Sequence, residues 1–396
     1  MKQILFVYSG MIIGGSTTSL ISLLSRIDYK EYEVDILLLN QNCVLMNKLP
    51  GEVHVLESPL NVKNKNSIRA RKVISIKSWI RLLLAIYYSK KFNSWIVRQQ
   101  ITQHDLVRFC KPVKKRYDIA ISFLELWPLY YLAEKVEATK KIAWYHINFL
   151  ETGMIPGFDR EPLKEMDKVV LVSEECKKSF DEAFPEYSSK SIVIENILST
   201  ESIREKAGER VAELPGNLGS KVKMVTVCRI VFIQKGLDRG LRALARLKKE
   251  NLLNEKTLQW YIVGDGPDTE RLYSLIDEYG LESIVYPMGK MENPMPIEAQ
   301  CDVFFLPSLY EGKPMAVTEA QMLGLAPLVT NYPSAREQIN DAVDGIIIPN
   351  NDEAIYEALK NLVTGRYNIE SMKNVLRSKV FSNEEEFQKF DSLLSN

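Results

Sequence analysis

Short apolar runs alternate with stretches of helical pattern along the whole sequence, and this alternation restricts the chain to one class of fold. Near-continuous apolar strands are typical of parallel sheets that helices cover on both faces. The alternation of strands and helices therefore predicts doubly wound α/β domains. The runs are 4–8, 34–39, 53–56, 119–123, 142–145, 169–172 and 192–194 in the first half, and 224–227, 260–263, 303–306, 328–330 and 345–348 in the second.

The length and one polar stretch predict two domains. A chain of 396 residues exceeds the roughly 250–300 residues that one hydrophobic core serves. Residues 197–220 are polar, lack an apolar run and contain Pro215-Gly216, which indicates a linker. We expect an N-terminal Rossmann-like domain at 1–196 and a C-terminal one at 221–367, facing each other. A C-terminal helical stretch at 368–396 is expected to pack back on the N-terminal domain.

Charge and cysteine content exclude several classes of protein. Lys+Arg and Asp+Glu number 51 each, so a generally basic nucleic-acid binder is not expected. The five cysteines are scattered without a C-x-x-C pair, which argues against a disulfide scaffold or a zinc site and fits a reducing compartment. We interpret the opening MKQILFVYSG as a first strand rather than a signal peptide. No apolar run reaches the roughly 18 residues of a membrane-spanning helix.

The segment 62–116 departs strongly from this neutral average. It contains fifteen Lys/Arg and a single acidic residue, Asp105, interspersed with Trp and Tyr. This mixture favours peripheral contact with an anionic membrane surface. The alternative is a solvated basic face over a core of the apolar residues, and a nucleic-acid patch is less favoured because no recognised nucleic-acid motif accompanies it.

The most informative motif is PSLYEGKPMAVTEAQMLG at 307–324. An apolar strand ends at Leu306, and Pro314 is expected at the first position of the following helix. The free N–H groups of a helix start suit a phosphate, and Glu319 could accept two hydrogen bonds from a ribose diol. The alternative is that Glu311 only compensates the helix dipole and Glu319 is solvated.

Two further motifs belong to the same half of the chain. Arg229 and Lys235 follow the run 224–227, where two cations could neutralise a diphosphate, although solvated loop charges are the alternative. Gly264 and Gly266 in IVGDGP allow close backbone approach, which a plain strand-to-helix turn would also explain.

With these motifs in this order, the chain resembles the GT-B nucleotide-sugar glycosyltransferases of family 4, the group 1 transferases. The resemblance covers about 222–350 as a linked set. It is looser in the first half, where Gly14-Gly15 and WYHIN at 144–148 match. It implies the GT-B fold, with two Rossmann-like domains facing across a cleft. The sequence departs from the family at Lys313 and in the loop GGSTTSL, so sugar and acceptor stay open.

The resemblance also implies roles for individual residues. Arg229 and Lys235 would hold the donor diphosphate, Glu319 the ribose, and Glu311 with the following backbone the donor sugar. His146 matches the family's active-site histidine. The implied catalytic set is His146, Glu311, Arg229 and Lys235, and the implied donor-binding set is Gly15, Arg229, Lys235, Gly264, Gly289, Glu311, Gly312, Lys313, Pro314, Met315 and Glu319.

The function that follows is transfer of a hexose or N-acetylhexosamine from a UDP-sugar to a lipid-linked or polysaccharide acceptor. The resemblance implies a retaining reaction without metal or other cofactor, and the D-x-D metal motif is absent from the sequence. Bacterial surface or capsular polysaccharide synthesis in the cytoplasm, at the inner face of the membrane, is the expected setting. The alternatives are a non-catalytic GT-B binding subunit of a transferase complex and a GT-B sugar-nucleotide epimerase.

Overall fold

The computed structural model describes residues 1–60, 95–209, 213–216, 219 and 221–395, and of Trp95 only the backbone. The chain forms two compact units. Met1–Ile197 together with Glu384–Asn396 makes the first, and Leu198–Asn383 makes the second.

The described strands are β1 (Lys2–Gly10), β2 (Tyr32–Asn40), β3 (His54–Val55), β4 (Tyr117–Ser122), β5 (Ala138–Tyr145), β6 (Lys168–Leu171), β7 (Ser191–Val193), β8 (Val222–Val227), β9 (Leu258–Val263), β10 (Val285–Gly289), β11 (Val303–Leu306), β12 (Ala326–Thr330) and β13 (Ile346–Ile348). The described α-helices are α1 (Gly15–Leu24), α2 (Trp95–Leu106), α3 (Trp127–Lys135), α4 (Phe149–Thr152), α5 (Pro156–Lys164), α6 (Glu174–Ala183), α7 (Thr200–Ala207), α8 (Phe232–Lys235), α9 (Leu237–Lys249), α10 (Thr269–Glu278), α11 (Met295–Glu298), α12 (Met315–Met322), α13 (Ala335–Gln338), α14 (Asp352–Val363), α15 (Ile369–Ser378) and α16 (Glu384–Ser395). Short 3-10 turns lie at Val44–Lys48, Val107–Phe109 and Pro185–Lys190.

Each unit contains one parallel sheet. The described strands of the first unit lie in the order β3-β2-β1-β4-β5-β6-β7, and those of the second in the order β10-β9-β8-β11-β12-β13. Both orders reverse direction between the first strand of the unit and its fourth, as in a doubly wound fold. The expected α/β class and the two Rossmann-like domains are therefore confirmed.

The central strands carry the apolar runs that predicted them. Residues 4–7 of β1 and 303–305 of β11 are completely buried, because helices cover both faces of each sheet. Strand β10 was missed, since its sequence VYPMG contains Pro287. It lies at the edge of the second sheet, and an edge strand tolerates a proline because one side makes no ladder hydrogen bonds.

The expected linker 197–220 differs from the structure. Helix α7 lies within it and belongs to the second unit, where it packs on α11 and α12. Its buried Ile203 joins a small cluster with Met295, Met315 and Met322, which explains why a polar stretch is ordered here.

The expected C-terminal stretch 368–396 contains two helices that belong to different units. Helix α15 belongs to the second unit, whereas α16 belongs to the first. In α16, Phe390 is fully buried with its ring 6.1 Å from that of Trp144. The Nζ atoms of Lys2 and Lys140 donate to carbonyls of its last turn, which suits cations at the negative end of a helix.

No helix in the described part of the chain has the length and apolar character needed to cross a membrane.

Candidate functional site

The point where strand order reverses in the second sheet collects most of the predicted site residues. Strands β8 and β11 are parallel neighbours, so their carboxyl ends meet at one edge of the sheet. Lys235 ends α8 after β8, and Glu311 lies in the loop after β11. Ligands of open α/β sheets bind at this position.

Lys235 and Glu311 form a buried ion pair. Lys235 Nζ donates to Glu311 Oε1 at 2.6 Å, with the two side chains 14% and 6% exposed. The Ser308 hydroxyl donates to the same Oε1 at 2.6 Å. Burial by itself would lower the pKa of Lys235, but the surrounding groups, with Glu311 first among them, more than offset this, so the pKa is raised and Lys235 stays charged. Glu311 is therefore not the simple helix-dipole partner of the alternative interpretation.

The glycines of IVGDGP bring two loops together. Gly264 has φ +146°, and a Cβ atom there would lie 1.9 Å from the carbonyl oxygen of Cys228. A Cβ atom on Gly266 would lie 2.2 Å from that of Ile230. The loop after β9 thus packs directly on the segment that carries Arg229, which is exposed at the end of β8. The role of Gly264 in this structure is close approach between loops.

Glu319 lies on α12 and is only 8% exposed, so the solvated alternative is wrong. Burial raises its pKa to about 7, against the opposing charge of Lys206 on α7. A second carboxyl group, Glu298 at the end of α11, is completely buried, and neither of its oxygens has a hydrogen-bond partner in the described part of the chain. Burial, and to a smaller extent the charge of Glu319, raises the pKa of Glu298 well above its ordinary value, which favours the neutral form of this carboxyl group.

The start of α12 differs by one residue from the expectation. Pro314 is the N-cap with ψ 114°, and Met315 is the first helical residue. The Gln338 side chain donates to the Pro314 carbonyl at 3.0 Å and to the Thr318 hydroxyl at 2.9 Å, which fixes this end of the helix. Gly312, Lys313 and Pro314 are partly exposed. Gly289 ends β10 with φ +71°, and nothing would contact a Cβ atom there.

His146 lies in the first unit, directly after β5. Its ring is 5.1 Å from that of Phe123 and stacks at 6.3 Å on Trp144. Burial lowers the pKa of His146 to about 3, against a hydrogen bond to the Phe123 backbone, so the ring is neutral. Its Nε2 is buried and has no partner among the described residues. A neutral ring that donates through one nitrogen leaves the other as a hydrogen-bond acceptor.

Gly15 is exposed at the start of α1, after β1 of the same sheet. The Tyr8 hydroxyl lies 2.8 Å from that of Ser16 and 3.0 Å from that of Thr17, which fixes this turn to the sheet.

The sequence analysis missed several residues of these two edges. Glu125 accepts a hydrogen bond from the His146 N–H at 3.1 Å. It follows β4 and precedes Leu126, whose φ of +67° is rare for a residue other than glycine. Ser308 could have been found from its spacing of three residues before Glu311. Glu125 and Glu298 have no comparable signal, since only the fold buries them.

The second unit thus offers the buried Lys235–Glu311 pair and the exposed Arg229 at one sheet edge, and a second carboxyl group, Glu319, on the helix that follows. Such a set can neutralise a diphosphate and accept hydrogen bonds from sugar hydroxyls. Among the described residues, no three His, Cys, Asp or Glu side chains are grouped as metal ligands.

Residues 216–378 match the family model of the glycosyl transferases group 1. The chain is also similar to the N-acetylgalactosamine-N,N'-diacetylbacillosaminyl-diphospho-undecaprenol 4-alpha-N-acetylgalactosaminyltransferase of Campylobacter jejuni. The two are 27% identical over 203 residues, which is 50% of this chain and 51% of that protein. Over 92 residues it is 36% identical to the UDP-Gal:alpha-D-GlcNAc-diphosphoundecaprenol alpha-1,3-galactosyltransferase of Escherichia coli, covering 23% of this chain and 24% of that protein.

The chain matches about half, or less, of the length of these curated relatives. Among solved structures it is similar over its whole length to Anabaena Alr3699/HepE, crystallised with UDP and glucose, with a TM-score of 0.69 and 15% identity over 100% of both chains. This likeness confirms the expected GT-B class of fold.

We predict that removing one member of the Lys235–Glu311 pair destabilises the protein more than removing both. K235M leaves a buried carboxylate without its cation and should lower the free energy of unfolding of the second unit by about 3–5 kcal/mol. The double variant K235M/E311L should recover most of this loss, because no charge is then buried alone. Chemical denaturation of the wild type, K235M, E311L and K235M/E311L measures the coupling, and equal losses in K235M and the double variant would contradict the prediction.

Proposed function

We propose that this protein is a glycosyltransferase that moves a hexose or N-acetylhexosamine from a UDP-sugar to a lipid-linked or polysaccharide acceptor in bacterial surface or capsular polysaccharide synthesis. The observation that carries the proposal is the arrangement at the second sheet edge. Glu311 is fixed there by Lys235 and Ser308, and Glu319 presents a second carboxylate from α12. The group 1 domain match over residues 216–378 supports the same conclusion.

In this proposal Arg229 and Lys235 stabilise the diphosphate as it leaves. The bond from the anomeric carbon to the diphosphate oxygen breaks, and a bond to the acceptor oxygen forms. The acceptor proton passes to the departing diphosphate, so the step needs charge stabilisation and orientation rather than a separate base. Glu319 accepts the ribose hydroxyls, and Glu311 with the backbone of 312–315 holds the sugar.

His146 contributes as a neutral hydrogen-bond acceptor. Its buried Nε2, which has no partner among the described residues, would receive a hydroxyl hydrogen of a bound substrate, and its low pKa keeps the ring uncharged at neutral pH. Glu125 holds the backbone of His146 in place.

We also propose a UDP-linked donor and a retaining reaction that uses no metal. The names of the Campylobacter and Escherichia relatives specify alpha-linked transfer, and the second names UDP-Gal as donor. Arg229 and Lys235 supply the positive charge that a metal ion would otherwise bring to the diphosphate.

Peripheral membrane contact at the inner face is the final part of the proposal. Residues 62–94 of the basic segment lie outside the described residues, so the argument rests on 108–116. Phe109 is 70% exposed, and Lys111, Lys114 and Arg116 are exposed beside it. An exposed apolar side chain among cations is suited to binding an anionic bilayer. The name of the Campylobacter relative gives an undecaprenol-linked acceptor, which also supports contact with a membrane.

The proposed activity predicts nucleotide release that depends on acceptor and on Glu319. The full-length protein is incubated with a panel of UDP-sugars and diphosphoundecaprenol-linked acceptors, and UDP and product are measured, with the anomeric configuration read by NMR. We expect E319Q to lower kcat/KM by about 10²–10³-fold, since a carboxylate contact to the ribose is lost. Binding without turnover would favour the binding subunit, and sugar interconversion without acceptor would favour the epimerase.

Donor affinity should depend on pH because Glu319 must be ionised to accept two hydroxyl hydrogens. Its pKa of about 7 means that it is protonated below this pH and charged above it. Binding of UDP-glucose, whose diphosphate does not titrate here, should weaken about tenfold from pH 8 to pH 6. Calorimetry measures this, and E319Q should bind weakly at both values. A pH-independent wild-type affinity would contradict the prediction.

Membrane contact predicts binding to vesicles that contain phosphatidylserine and not to pure phosphatidylcholine. K111Q/K114Q should weaken binding by about 10–30-fold, because each cation near an anionic surface contributes about 1 kcal/mol. The matched control is K164Q/K178Q, which removes two exposed lysines elsewhere in the first unit. Equal binding by both double variants would exclude contact through 108–116.

A further inference from the structure

The loop that carries Glu311 is held by side chains that the sequence analysis did not single out. Arg239 on α9 donates from Nη1 to the Pro307 carbonyl at 3.4 Å and to Asn350 Oδ1 at 2.7 Å. The Asn350 side chain in turn donates to the Leu309 carbonyl at 2.8 Å. Two alternate carbonyls of one loop are thus fixed by a single connected pair of side chains.

Between these two carbonyls lies Ser308, which faces the site. Its hydroxyl donates to Glu311 Oε1, and its own carbonyl accepts from Thr330 Oγ1 at 2.5 Å. The Leu309 N–H donates to the Gln234 carbonyl at 2.8 Å, which ties the loop to α8 beside Lys235. The position of the Glu311 carboxylate is therefore set by the path of residues 307–309.

Helix α9 by itself gives no reason for a buried arginine at position 239. It lies in the first turn of α9, where a cation is unfavourable with the helix dipole. Its side chain is nevertheless only 9% exposed, and burying a guanidinium is costly unless it is paired. Asp352 supplies the charge partner at 2.8 Å from Nε, which leaves Nη1 for Asn350 and the loop.

We propose that Arg239 and Asn350 are positioning residues for sugar transfer, which hold the loop 307–309 so that Ser308 and Lys235 present Glu311 to the donor sugar. The inference rests on the proposed function for the identity of the reaction, and on the contacts above for the anchoring. Because Glu311 serves the sugar and Glu319 the ribose, loss of the anchor should affect the hexose end of the donor and not the nucleotide end.

The test compares R239K, R239Q and N350A with R242Q in the full-length protein. Arg242 is the matched control, because it also bonds Asp352, at 3.0 Å, and bonds Asp238, but in the described part of the chain it makes no hydrogen bond to residues 307–309. Lysine keeps the charge beside Asp352 but lacks the fork of donors that reaches two acceptors, so R239K keeps the ion pair while losing the anchor.

Three quantities are measured on each variant: hydrogen exchange, kcat and the affinity for UDP. Hydrogen exchange of the amides in 308–312, without ligand, should be about tenfold faster or more in R239K, R239Q and N350A than in the wild type or R242Q. With an active donor and acceptor, kcat should fall by about 10–100-fold, while the affinity for UDP, which has no hexose, stays within about twofold.

Wild-type exchange rates in 308–312 of a folded R239K would overturn the proposal, as would equal losses of UDP affinity and kcat. If R239Q does not fold, R239K and N350A decide the matter. A wild-type protein that releases UDP from no donor would refute the proposed function, and the exchange rates would still decide whether Arg239 and Asn350 anchor the loop.

Discussion

The parallel pairing of β8 with β11 is the constraint on which the site depends. Met224 pairs with Val303 and Val225 with Phe304, so the two strands end at the same edge of the sheet. This register brings Lys235 and Glu311, 76 residues apart in sequence, to 2.6 Å. A buried pair of this kind holds only if the remaining donors and acceptors are satisfied, and Ser308 supplies that contact.

Burial of carboxyl groups is the second feature that the two sheet edges share. Burial raises the pKa of Glu125, Glu298 and Glu319 above the ordinary value for glutamate. For an acid whose pKa is raised on folding, stability falls as the pH rises from the ordinary pKa to the raised one, because only the unfolded chain ionises in that range. For Glu319 this loss accumulates between about pH 4.5 and pH 7, and hydrogen bonds from a bound diol would favour the ionised form and offset it. Buried carboxyl groups with strongly raised pKa values are more common at functional sites than in structural cores.

The sequence predicted candidate residues best where charged side chains directly follow apolar runs. The sequence singled out Arg229, Lys235, Glu311 and Glu319 as candidates from their spacing after apolar runs, and the structure places Lys235 and Glu311 in direct contact. The sequence analysis failed where the order or burial of a residue depends on tertiary contacts. Helix α7 is polar in sequence, and only its contact with the methionine cluster explains its order. The sequence around Glu298 predicts an ordinary surface residue, although the side chain is completely buried in the structure.

The sequence by itself determined the class of fold, because near-continuous apolar strands separated by helices can be buried only in parallel sheets covered on both faces. It also determined which loops carry charge, since those loops follow the strands. The tertiary structure alone decided which charges meet, because side-chain distances depend on strand register and on loop path. It paired Lys235 with Glu311, removed Glu319 from solvent, and connected Arg239 and Asn350 to a loop that neither neighbours in the chain.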